Sequence, residues 1–127
     1  MKIITTKKAP TAIGPYSQAI IIDNTLYSSG QIPINPISNL IETDFEKQVL
    51  QVFSNINGIL ESAKYNINDI VKVNVYLKNL NDFNLFNTLY ANFFQNHKPV
   101  RTTIEVSKLP KDALIEIDFI ANKKTTI

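Results

Sequence analysis

Two stretches of the chain carry apolar residues at the three-and-four spacing of a helix with one buried face. In the first, Phe45, Val49, Val52, Phe53, Ile56, Ile59, Leu60 and Ala63 fall on one side. Thr43-Asp44-Phe45-Glu46 precedes it with the Thr-x-x-Glu spacing of a capping box, whose hydroxyl and carboxylate satisfy backbone N–H groups at a helix start. Asn66 supplies a stop, since asparagine tolerates the left-handed conformation at a helix end. The second helix is predicted from about Asp82 to Gln95, with Phe83, Phe86, Leu89, Tyr90, Phe93 and Phe94 as its stripe and Pro99 preventing its extension.

Period-two alternation marks the strands. Val71, Val73, Val75 and Leu77 alternate with Lys72, Asn74, Tyr76 and Lys78, and Ile115, Ile117, Phe119 and Ala121 alternate with Leu114, Glu116, Asp118 and Ile120. Thr102, Ile104 and Val106 oppose Arg101, Thr103 and Glu105. Nearer the N-terminus, Ala19-Ile20-Ile21-Ile22 and Leu26-Tyr27-Ser28-Ser29 flank a short hairpin loop at Asp23-Asn24-Thr25, and Met1 to Thr5 adds an edge strand.

The order strands, helix, strand, helix, strand, strand predicts an α+β fold with two helices packed on one face of a single mixed sheet. No repeat, low-complexity tract or linker divides it, so residues 1–127 are read as one domain. The helix-free face is read as carrying Arg101, Thr103, Glu105, Glu116, Asp118, Asn74 and Tyr76 among a few apolar residues. Such a face is too polar for a core and too apolar for plain solvent surface, so a partner subunit is its expected cover.

Composition narrows the function classes. A chain of 127 residues, 44% hydrophobic and 19% charged, suits one globular core. No apolar run approaches the roughly 20 residues of a membrane helix, and the first eight residues lack the features of a signal or transit peptide. A soluble, cytoplasmic protein is expected. With no cysteine, disulfides, thiol nucleophiles and cysteine zinc sites are excluded. His97 is the one histidine and reads as a solvated loop residue, which leaves little on which to build a metal site or a Ser-His-Asp triad. The net charge of +2, with basic doublets confined to Lys7-Lys8 and Lys123-Lys124, offers no broad field for nucleic acid.

Four places could carry chemistry. The planar fork of Arg101 suits a substrate carboxylate, held by two charge-assisted hydrogen bonds, or else a structural ion pair with Glu116 or Asp118. Glu116, between Ile115 and Ile117, could orient or deprotonate a water if partly buried; an interface role is the alternative, and Asp118 is its rival. The Gly-Pro break in Ala12-Ile13-Gly14-Pro15-Tyr16-Ser17-Gln18 makes a loop that either presents Tyr16 to a cleft or stacks it on the core. At Ser28-Ser29-Gly30-Gln31, Gly30 either admits a ligand close to the backbone or only ends a strand.

Together, Ala12-Ile13-Gly14-Pro15-Tyr16-Ser17-Gln18-Ala19, Ser29-Gly30-Gln31-Ile32-Pro33, Asp69-Ile70-Val71-Lys72, Asn81-Asp82-Phe83 through Asn87, Pro99-Val100-Arg101-Thr102-Thr103-Ile104-Glu105-Val106, Leu109-Pro110-Lys111-Asp112 and Ile115-Glu116-Ile117 resemble the RidA (YjgF) family of imine/enamine deaminases. They follow in order over nearly the whole chain. The resemblance implies a chorismate-mutase-like α+β fold and a homotrimer with clefts between subunits. It implies that Arg101 clamps the substrate carboxylate, that Glu116 positions the hydrolytic water, and that Tyr16, Ser29, Gly30 and Asn87 line the cleft. Thr103 stands where the family often has cysteine, which argues against covalent thiol chemistry while leaving a hydroxyl to bind the substrate.

The implied reaction is hydrolysis of 2-iminobutanoate or 2-iminopropanoate to a 2-keto acid and ammonia, with neither metal nor organic cofactor, no nucleic acid and no membrane. Two other readings stand beside it. One is a ribonuclease or translation inhibitor, as some proteins resembling the family have been assigned. The other is a non-catalytic binder of small carboxylates.

Overall fold

The computed structural model describes residues 1–124, which form a single six-stranded mixed sheet with two helices against one face. In chain order the elements are β1 (Lys2–Ile4), β2 (Ala19–Ile22), β3 (Thr25–Ser28), α1 (Phe45–Ala63), β4 (Ile70–Leu77), α2 (Phe83–Phe94), β5 (Val100–Glu105) and β6 (Ile115–Asn122). The sheet order is β1-β2-β3-β6-β4-β5, so β6 closes the middle and β5 is an edge. Only β4 and β5 pair in parallel. A parallel pair needs a crossover, and α2 is that crossover; it therefore lies over the β4–β5 edge.

The two-residue turn between β2 and β3 has both central residues at positive φ, 47° at Asp23 and 69° at Asn24, the twist that a tight hairpin prefers. The core lies between sheet and helices. Val49, Val52, Ile56 and Ile59 from α1 and Phe86 from α2 meet Leu26, Val73, Val75, Ile115, Ile117 and Phe119 from the strands. The predicted stripes and fold class are therefore the observed ones, but five local readings change.

The start of α1 is capped by Asp44, whose carboxylate accepts from the Lys47 amide at 3.0 Å. Thr43 lies one residue too early, so the Thr43–Glu46 box does not form. The helix stops at Lys64, which takes the left-handed conformation (φ 63°) while its amide donates back to Leu60 and Glu61. Asn66 instead caps the next short turn, Ile67–Asp69, through its own side chain. Val71 is 45% exposed rather than core, because a register shift between Ile70 and Lys72 turns it outward and hands its inner place to Ile70. His97 is half-buried, with ring Nε2 2.6 Å from the Ile70 carbonyl oxygen, so it ties the α2–β5 loop to β4 rather than being solvated.

The fifth change moves the site. Register pairs Val73 with Arg101, Val75 with Thr103 and Leu77 with Glu105. Paired residues share a face, so Arg101, Thr103 and Glu105 lie on the helix side of β5, opposite to Glu116, Asp118, Asn74 and Tyr76. The apolar-looking triplet was assigned the wrong parity: Ile104, 44% exposed, and Val100, 66% exposed, belong to the helix-free side or its edge. A shift of one residue exchanges the two faces of a strand completely.

Candidate active site

Seven residues singled out from the sequence fall into two groups on one protomer. The first group surrounds Glu116. Reciprocal backbone bonds, Gln31 N to Ile117 O at 2.7 Å and Ile117 N to Gln31 O at 3.1 Å, stitch the strand-end loop to β6. Gly30 is thereby held against Glu116. A methyl built on Gly30 would stand 2.2 Å from Glu116 Oε2, so the carboxylate keeps this position only beside glycine. The Ser29 amide donates to Gln18 O at 2.9 Å and its hydroxyl to the Ser17 carbonyl, so the Ser29 hydroxyl proton is already engaged.

The Gly-Pro loop supplies the opposite wall. Gly14 has φ 123°, a conformation side chains rarely adopt, and the Tyr16 amide closes a tight turn onto Gly14 O. Tyr16 is 50% exposed and its phenol oxygen accepts from the Ile13 amide, so the ring is displayed rather than stacked in the core. Ile13, Tyr16, Ser29, Gly30, Ile32, Pro110, Lys111 and Glu116 enclose a cleft of about 450 Å³. Its Lys111 rim is unusual, because Lys111 and Asp112 both adopt positive φ, 59° and 54°.

Burial pushes the Glu116 carboxyl above the ordinary carboxylate range, and the nearby charge of Asp118 adds to the effect. No hydrogen bond or ion pair to the Glu116 carboxylate is formed by the described residues. Asp118 differs: its two oxygens accept from Asn74 Nδ2 at 2.9 Å and from Tyr76 OH at 3.0 Å. Of the two rivals, Glu116 is the carboxylate left open to a ligand.

The second group lies on the helix side of β5. Arg101 donates from Nη2 to Asn87 Oδ1 at 2.8 Å, and its guanidinium carbon sits 4.7, 5.4 and 5.7 Å from the ring centroids of Tyr90, Phe86 and Phe83. Residues 83, 86, 87 and 90 share one face of α2, so a single helical stripe builds the cradle. Cation–π contacts contribute about 0.5–2 kcal/mol depending on solvation. The ion pairs among the described residues are Lys8–Glu61 and Lys108–Asp112, so Arg101 has no carboxylate partner among them. Thr103 lies two residues along the same face, its Oγ1 shut away from solvent without a hydrogen-bond partner among the described residues.

The sequence reading thus singles out these seven residues and suggests one shared face for Arg101, Thr103 and Glu116, whereas the chain sets Arg101, Asn87 and Thr103 on one side and Tyr16, Ser29, Gly30 and Glu116 on the other. It missed the aromatic cradle, since Phe83, Phe86 and Tyr90 were read only as core stripe. It also missed Ile13, Ile32, Pro110 and Lys111, which carry no chemical signature of their own. A larger groove of about 610 Å³ between α1 and α2 holds Leu50, Phe53 and Phe93 with the Lys8–Glu61 pair, but no buried titratable group faces it. No cluster of three or more metal-ligating His, Cys, Asp or Glu residues occurs among the described residues, and none of their helices is long and apolar enough to cross a membrane.

A mixed sheet backed by two helices, with a half-buried carboxylate on one face and a guanidinium cradled by aromatic rings on the other, places the chain among small α+β proteins. The chain belongs to the endoribonuclease L-PSP family, also called RidA, whose model matches residues 6–123. It is 51% identical to the RutC family protein PH0854 of Pyrococcus horikoshii over 97% of this chain and 98% of that one. It is 43% identical to the 2-iminobutanoate/2-iminopropanoate deaminase of Escherichia coli K12, over 97% and 98% respectively. The crystal structure of E. coli TdcF with bound serine superposes with a TM-score of 0.94 at 38% identity, over 98% of this chain and all (100%) of that one.

Proposed function

We propose that the protein hydrolyses short 2-imino acids to 2-keto acids and ammonia, at sites completed between copies of the chain in a homotrimer. One copy supplies Arg101 with Asn87 and Thr103; its neighbour supplies the Glu116 cleft with Tyr16, Ser29 and Gly30. The observation that carries this reading is that neither the guanidinium nor the half-buried carboxylate has an ion-pair partner among the described residues. Leaving two such charges uncompensated is costly, and a zwitterion-like substrate spanning a subunit contact offsets both. The helix-free sheet face supports association, since Ile3, Ile22, Tyr27 and Ile104 are exposed there. The deaminase name of the E. coli relative and the serine bound to TdcF agree with a small amino-acid-like ligand.

In this mechanism Arg101 grips the carboxylate through the edge of its fork that Asn87 leaves open. With the substrate as its iminium, Glu116, ionised, takes a proton from a water as the water oxygen adds to the C=N carbon, which leaves the nitrogen neutral in a carbinolamine. The carbinolamine then collapses: Glu116 gives its proton to the nitrogen, and as the C–N bond breaks the hydroxyl proton passes back to Glu116, so that ammonia leaves and the keto group forms. The walls, Ile13, Ile32 and Pro110, suit a short aliphatic side chain. Orientation supplies most of the acceleration, because imines of this kind already react with water.

The test is complementation. Arg101→Ala and Glu116→Gln chains, each inactive alone, are unfolded together, refolded as mixed assemblies and assayed for keto acid from iminobutanoate. If a site draws one residue from each of two chains, random mixing restores about a quarter of wild-type sites. Restoration of nothing, with both variants folded and associated, refutes the shared site.

A further inference from the structure

Tyr90 has no role in the reaction just described, yet its ring is the aromatic surface nearest to Arg101. We propose that Tyr90 is a positioning residue, whose ring sets the plane in which Arg101 offers its open edge to the substrate carboxylate. The inference rests on the carboxylate-binding role given to Arg101 above.

An arginine side chain is long and freely rotating, and among the described residues Asn87 Oδ1 is the acceptor found on this guanidinium. One hydrogen bond fixes a point but not a plane; the group can still pivot about it. A ring face 4.7 Å from the guanidinium carbon removes that freedom, because a planar cation stacks best against a flat π-surface. The Tyr90 ring cannot itself swing. It is wedged among Phe94 at 4.4 Å, Phe86 at 5.5 Å and Phe53 at 6.4 Å between centroids, so its orientation is set by the core.

The phenol points to the ring as the working part. Its oxygen is enclosed and has no hydrogen-bond partner among the described residues. Burial pushes its pKa up to about 12, against the opposing pull of Arg101, so it supplies no negative charge to the guanidinium. The core stripe of α2 thus does two jobs at once: it closes the hydrophobic interior and orients the cation at its edge.

The measurement is binding of 2-oxobutanoate, the stable product, together with steady-state hydrolysis of iminobutanoate, in the full-length protein. Tyr90→Leu is expected to raise both the 2-oxobutanoate Kd and the KM about tenfold, with kcat changed less than about threefold and assembly intact. Tyr90→Phe, which keeps the ring, is expected to stay within about twofold of wild type. In an Arg101→Lys background, where no fork needs a plane, Tyr90→Leu should add less than about twofold. Should leucine fail to fold, Tyr90→Met replaces it. An unchanged Kd in Tyr90→Leu, or full additivity with Arg101→Lys, overturns the positioning role alone. A wild-type protein that neither binds the keto acid nor hydrolyses the imine removes the Arg101 reading as well.

Discussion

Gly30 and Glu116 are so closely apposed that a single added methyl on the first would meet the carboxylate of the second at 2.2 Å. The obstacle is the far end of a flexible side chain and the Gly30 backbone is not left-handed, so Glu116 swings aside at little cost to the fold. Gly30→Ala is therefore expected to keep a Tm within a few degrees of wild type while losing rate. If Glu116 acts as general base, kcat falls by about 10²–10⁴, the range such catalysis typically supplies. A coupled keto-acid assay beside a thermal melt separates the two effects, and a variant with full kcat removes Glu116 from the mechanism.

The pH profile follows from the same carboxyl. Because its pKa is raised, by burial first and by Asp118 second, the acid limb of kcat/KM should have its midpoint above the ordinary value of 4.5, and rate should fall as pH drops through it. Stability runs the other way. A carboxyl whose folded pKa is raised contributes stability that is complete below its unfolded pKa and lost as pH rises through the folded one. Glu116→Gln should thus melt higher than wild type at neutral pH, with the advantage shrinking in acid. A variant melting lower at neutral pH contradicts the assigned environment.

Gly58 is a packing counterpart. A methyl there would stand 2.2 Å from the Lys8 carbonyl oxygen, which is backbone and cannot turn away. Helix propensity favours alanine over glycine by about 1 kcal/mol, but overpacking costs about 1–3 kcal/mol. Gly58→Ala should then be destabilised on balance, shown by a lower denaturant midpoint at unchanged slope. A more stable variant would mean that the Lys8 segment is free to move off α1.

The family's endoribonuclease name makes nucleic acid worth measuring. The 13 Lys and Arg are nearly balanced by 11 Asp and Glu, so a net charge of +2 gives little field for phosphates, and the Arg101 guanidinium is set in an aromatic cradle. Any RNA binding should be weak, with a slope of log K against log salt shallower than about −2. A steep slope together with chain cleavage would favour the ribonuclease reading.

Much of this was legible before any coordinates. Periodicity found both helices and the sheet because burying one face is the strongest constraint on these segments. Most of what escaped was decided by partners far away in sequence. The parity of β5 depends on its register against β4, and its edge position leaves Ile104 exposed, so apolar residues pointed to the wrong face. Asp44 outcompeted Thr43 as a cap by standing one residue nearer the first turn. The amides of Gln18, Gln48 and Asn55, all buried, look like ordinary surface positions in the sequence, yet they hold loop carbonyls, as where Asn55 donates to Ile32 O and Ile34 O. Of the site, the two charged residues stood out by type, whereas Tyr90 was concealed by belonging to a core stripe.

Gln18 extends this last point to the mechanics of the cleft. Its carbonyl oxygen accepts from the Thr6 amide, and its amide group donates to the oxygens of Thr6, Ala9 and Pro10. The coil before the Gly-Pro loop, which Lys8–Glu61 and Ser62–Thr6 tie to α1, is thus also fastened to β2 by one primary amide. Removing that amide would loosen the coil that leads into the Tyr16 wall of the cleft, a cleft that Gln18 itself does not line.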